Sequence, residues 1–149
     1  MKAISLRPEW AMPVLMGDKF IEWRSWPTDY RGPLVICSSA RKTPGAISGM
    51  ALCKVDLVEV EPFAKKHMKL ALMDDTPDGY AWIFDNLDWI EPFEQKGKLR
   101  LFEVDDSAVK VIPETIGSRE AFMTYYEPHM HYGRDPEVRA EWMGYIDSL

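Results

Sequence analysis

The chain has 149 residues, of which 46% are hydrophobic and 28% charged, enough for one domain with a sizeable core and too apolar for a disordered chain. No run approaches the roughly 18 apolar residues of a membrane helix, and the N-terminal "MKAISLRPEW" lacks the apolar stretch of a secretory signal, so a cytoplasmic protein is expected. A net charge of −6 excludes a wholly basic nucleic-acid binder but hides an asymmetry: residues 1–54 hold eight Lys/Arg against four Asp/Glu, and residues 55–149 hold ten against twenty.

"AISLR" (3–7) alternates and predicts a strand. Pro8 suits the first turn of a helix with Trp10, Val14 and Met16 near one face, Pro13 as a kink, and Gly17 as its stop. "KFIEWRSW" (19–26) is rich in aromatic and β-branched residues and predicts a second strand, and "LVICSSA" (34–40) a third, buried one. "RKTPGAISG" is a loop. "MALCKVDLVEVEPF" is a long strand whose apolar set shifts phase from Ala51–Cys53–Val55–Leu57 to Val58–Val60, which predicts a bulge or bend.

"AKKHMKLALM" (64–73) predicts a helix with Met68, Leu70 and Leu72 turned inward and His67 on the surface. "YAWIFDNLDWIEPF" (80–93) is a strand pair or one bent strand, and "KGKLRLFEV" and "SAVKVIP" supply the last strands. Strands outnumber helices with no βαβ rhythm. The expected fold is α+β: a small, mostly antiparallel barrel (residues 1–113) with peripheral helices. Residues 114–149 read as a C-terminal helical extension packed on the same domain. Ser118 and Asp135 serve there as N-caps, and Val138, Trp142, Tyr145 and Leu149 share a face.

The chemistry concentrates in "GDKFIEWR" (17–24). Strand parity places Phe20, Glu22, Arg24 and Trp26 on one face. Lys19 joins them only from a turn before the regular strand, or across a bulge, and Gly17 makes such a turn reasonable. Read from the residues alone, Glu22 is as well explained by exposed ion pairing with Lys19 and Arg24.

The spacing Gly17-x-Lys19-x-x-Glu22-x-Arg24 resembles the GxKxxExR signature of the ASCH domain, a relative of the PUA fold. "AISLRPEW", "RGPLVICSSA", "GMALCKVDLVEV" and "YAWIFDN…IEPFEQKGKLRLF" resemble the family's order of segments over roughly residues 2–106. The resemblance implies a PUA-like β-barrel with the signature residues in a cleft, and RNA or other nucleic acid as ligand. Some enzymatic members are amidohydrolases acting on acetylated cytidine, or nucleases. In the amidohydrolases a threonine stands where this chain has Glu22, which counts against that activity here.

As a ligand site, Lys19 and Arg24 offer donors to phosphate or a base carbonyl, and Glu22 accepts from an exocyclic amine. Trp10, Trp26, Tyr80 and Trp82 are candidate stacking surfaces. Ser38 and Ser39 offer hydroxyls, and Arg41 and Lys42 form a basic loop with no P-loop pattern. The main expectation is binding of RNA or a nucleotide without a cofactor. The alternative is a hydrolase on a modified nucleoside or on RNA, using Lys19 and Glu22. A third reading is a protein partner met by the C-terminal helices. Cys37 and Cys53 read as buried free thiols, and "HMH" (129–131) lacks the further ligands of a metal site.

Overall fold

A computed structural model describes residues 1–149. The fold is α+β, built on one six-stranded, mostly antiparallel sheet. Its strands are β1 (Lys2–Leu6), β2 (Ile21–Arg24), β3 (Gly32–Ser38), β4 (Met50–Pro62), β5 (Tyr80–Glu94) and β6 (Phe102–Glu103). They lie in the order β2-β5-β4-β3-β1-β6, and only β1 and β3 run parallel. Helix α1 (Pro8–Leu15) follows β1.

The long strands β4 and β5 wrap the core because their pairing slips three times, between Ala51/Cys53, Lys54/Asp56 and Leu57/Glu59. Each slip adds local twist. The last coincides with the apolar phase shift in the sequence. β5 is one bent strand, not two. Curling brings the two ends of the sheet together: Arg24, on edge strand β2, donates from Nη2 to the Ser5 carbonyl of β1 at 2.9 Å. Side chains thus close the barrel where no backbone ladder does.

One core cluster joins Ile4, Leu34, Leu52 and Trp82 to Phe122, Tyr126 and Ile146 of the C-terminal segment. That segment contains α3 (Ser118–Ala121), a π-helical turn over Phe122–Tyr126, and α4 (Pro136–Asp147). Asp135 caps α4 by accepting from the Glu137 amide. The buried stripe of α4 differs from the sequence expectation. Ile146 is fully buried beside half-buried Val138 and Trp142, while Tyr145 and Leu149 face solvent. The true stripe follows i, i+4, i+8, and Trp142 turns toward the ring of Phe122 (5.8 Å, nearly parallel).

Three other expectations are corrected. Residues 64–73 do not form one helix but a 3-10 turn (Lys65–His67) and α2 (Met68–Ala71), which stops at Leu72 in a left-handed conformation (φ 57°). Leu70 and Leu72 point out. His67 is buried instead: its Nδ1 accepts from the Ala64 amide and its Nε2 meets Glu61 at 2.7 Å, so a backbone-capping bond takes the histidine inward. The final strands shrink to β6 and an isolated Ile90–Val111 bridge, because "KGKLR" is a loop.

Cys37 and Cys53 are free and buried, and burial pushes the Cys37 thiol up to about 12. Native protein is expected to leave a thiol reagent such as DTNB unreacted, with two thiols appearing on unfolding.

Candidate functional site

The turn after α1 places Lys19. Gly17 adopts φ 80°, which glycine tolerates best, and the amides of Asp18 and Lys19 both donate to the Pro13 carbonyl, at 2.9 and 3.1 Å. Lys19 therefore lies in the turn just before β2, one of the two arrangements that strand parity allowed. Glu22 and Arg24 follow on the face of β2 that turns toward the barrel, opposite Trp82 and Tyr80 in the β2–β5 ladder.

The three charges converge. Lys19 Nζ is 3.4 Å from Glu22 Oε1 and donates to the Ala71 carbonyl at 2.7 Å. Arg24 Nη1 is 3.8 Å from Glu22 Oε2. Lys19 is only 2% and Glu22 only 7% exposed, so this is no solvated surface pair. Burial pushes the Glu22 carboxyl above its usual range, against the pull of Lys19 and Arg24. Burial likewise lowers Lys19, with Glu22 opposing the change. Arg24 Nε is a buried donor with no hydrogen-bond partner.

These groups line a cleft of about 340 Å³ with Arg7, Trp10, Trp23 and Met73. Trp10 is 38% exposed, and Lys19 Nζ lies 5.1 Å from its ring centroid. The cleft lining contains no serine, threonine or cysteine.

The other expected residues scatter. Trp82 is fully buried and donates to the Trp26 carbonyl at 3.1 Å, so it belongs to the core and offers no open ring face. Tyr80 is half-buried, packs against the same core, and lies outside the cleft lining. Ser38 is buried, with its hydroxyl shared between the amide and carbonyl of Met50, a strand-closing use. Arg41 and Lys42 are exposed, and neither lines the cleft.

Ser39 and Trp26 line a second depression of about 620 Å³ that opens beside the first. Arg7 and Arg24 border both. Its further cations, Lys96, Lys98 and Arg100, went unrecognised in the sequence because "KGKLR" alternates like a strand. The signal that finds them is a basic run with a glycine inside the acidic half of the chain.

Helix α1 divides the surface by charge. On its far side a cavity of about 400 Å³ between α1 and α4 carries Glu9, Asp18 and Glu141 and no cation, so an anionic ligand is directed to the Lys19 side.

The sequence pattern described for the ASCH domain matches residues 4–146. The fold is similar to crystal structures of ASCH from Zymomonas mobilis: the unmodified protein (TM-score 0.58, 14% identity, covering 72% of this chain and 89% of that one) and a tyrosine-to-phenylalanine variant (0.57, 15%, 72% and 91%). A serine-to-alanine variant of that protein matches equally (0.58, 14%, 72% and 89%). No curated protein sequence matches the chain.

Proposed function

The chain belongs to the ASCH domain family, a PUA-like family associated with RNA binding, and from that premise we propose that the Lys19–Glu22–Arg24 cleft binds a nucleotide unit of RNA. The observation that carries the reading is Arg24. Its guanidinium is anchored by the Ser5 carbonyl and by Glu22, yet it keeps a buried Nε–H without a partner. A buried donor without a partner is rare in a folded protein, and here it belongs to a residue that lines the cleft. A phosphate oxygen suits Arg24 and Arg7, Glu22 accepts from an exocyclic amine, and Trp10 supplies a wall for stacking.

The test is fluorescence anisotropy of a labelled single-stranded RNA decamer at about 50 and 200 mM salt. Lys19→Met keeps the side-chain volume and removes the charge. It is expected to weaken binding about tenfold, the worth of one charge-assisted hydrogen bond. Binding that ignores salt, or that is the same in Lys19→Met, would sink the reading.

One observation favours a second reading. Lys19 and Glu22 are 3.4 Å apart and shifted in opposite directions by burial, the arrangement of an acid–base pair. With no hydroxyl or thiol in the lining, this reading has hydrolysis run through water activated by the pair, not through a serine, threonine or cysteine ester. Acylated nucleosides and RNA oligomers incubated with wild type and Lys19→Met decide it: equal product in both excludes the reading for those substrates.

A further inference from the structure

We propose that the depression beside the cleft is a track for the phosphate backbone, so that the ligand is an RNA single strand several nucleotides long and not a free nucleoside or nucleotide. The inference rests on the cleft reading above and extends it along the surface.

The two depressions adjoin, because Arg7 and Arg24 line both. A strand with one unit at Lys19 and Glu22 therefore meets these two guanidiniums as it passes into the second depression. Beyond them the track is lined by Lys96, Lys98 and Arg100 and by no carboxylate. None of these three cations enters an ion pair within the protein, although the chain carries a net charge of −6. Unpaired cations gathered on an acidic protein are what a polyanion needs.

The loop that carries them is held in place. At Gly97 an added Cβ would lie 2.6 Å from Ser5 Oγ and 3.2 Å from Ser5 Cβ, so the loop packs closely on β1. The carbonyl of the same Ser5 holds Arg24. Arg100 takes a left-handed backbone conformation (φ 62°), rare for a residue with a side chain. Strain of this kind concentrates at functional sites. Its guanidinium lies 5.0 Å from the Trp26 ring centroid, and that of Arg24 lies 6.0 Å from the same ring. Trp26 therefore serves to align two guanidiniums more than to stack a base. Guanidinium forks match phosphate oxygens. Between Lys98 and Arg100, Leu99 is 95% exposed, an apolar tip with nothing of its own chain to cover it and a surface for a ribose or base.

Such a track reads no sequence, so discrimination is confined to the single base in the cleft. The experiment compares two probes, a single-stranded RNA decamer and cytidine monophosphate, against wild type, Lys98→Ala/Arg100→Ala, and the charge-matched control Lys110→Ala/Arg134→Ala, both exposed residues outside either depression. Circular dichroism checks the fold of each variant. The groove variant is expected to bind the decamer at least tenfold more weakly. Its salt slope should fall by about 1.4, two single-strand phosphate contacts at ~0.7 each, with affinity for the monophosphate unchanged. The control is expected to bind the decamer like wild type.

The proposal is overturned if the groove variant binds the decamer as wild type does. It is equally overturned if the control loses as much, or if wild type holds the decamer no more tightly than the monophosphate. Should the decamer ignore the groove variant while Lys19→Met weakens both probes, the track alone falls. If wild type binds neither probe, the cleft reading falls and takes the track with it.

Discussion

Lys19→Ala is expected to destabilise the fold by about 4 kcal/mol, within the range for emptying a long side chain's place in a core. The midpoint of thermal unfolding should fall by roughly 8–16 °C for a domain of this size. The cost has two parts. A side chain only 2% exposed leaves a cavity, and the Ala71 carbonyl loses its donor. Lys19→Met separates packing from charge. It refills the volume but still leaves the Ala71 carbonyl and Glu22 without their donor, and its expected cost is about 2 kcal/mol. Because burial lowers the Lys19 pKa, the folded state binds fewer protons there than the unfolded one. The stability this group contributes is complete above its unfolded value of 10.5 and is lost as pH falls through the lowered folded pKa. The stability advantage of wild type over Lys19→Met should therefore narrow as pH falls through that window. Thermal melts in which Ala and Met variants lose equal stability would contradict the packing account.

Arg24→Lys is expected to weaken RNA binding at least tenfold although it conserves charge, and Arg24→Ala about a hundredfold, in the range for truncating a desolvated charged partner. The reason is the fork. One guanidinium spans from Ser5 on β1 to Glu22 on its own strand while lining the cleft, and its Nε–H is buried without a partner. An ammonium has the charge without the planar spread. Because the Arg24 contact with Ser5 also fastens β2 to β1, both substitutions should lower the melting temperature. The decisive comparison is therefore made by anisotropy well below each variant's melt. Wild-type affinity in Arg24→Lys would show that charge alone suffices.

Local pattern carried the strand order along the chain and the most specific part of the site. Parity in "KFIEWR" aligned Glu22 with Arg24 and left Lys19 dependent on a turn at Gly17 or a bulge, and the structure contains the turn. What local pattern missed depends on contacts between distant segments. Lys96, Lys98 and Arg100 come beside the cleft only because the sheet curls until β2 and β1 meet, about ninety positions away from that loop in the case of Ser5. Tyr80 and Trp82 alternate as expected, but alternation does not say which face the barrel encloses, and it enclosed Trp82. His67 looked like a polar residue on an exposed helix. Its ring instead satisfies an amide at the start of the turn, a role that composition does not signal.

The π-helical turn has a consequence for how the molecule comes apart. Tyr126 is fully buried, and its hydroxyl accepts from the Ile90 amide at 3.2 Å and faces the carbonyls of Leu52 and Ile90, each at 2.8 Å. Those groups lie where β4 and β5 slip out of register. A phenol from the last third of the chain thus does for the bulged ladder what a missing backbone partner would have done. Amide exchange at Ile90 should consequently report on the attachment of the C-terminal segment, and that segment and the barrel should protect their amides together and lose protection together, as one cooperative unit.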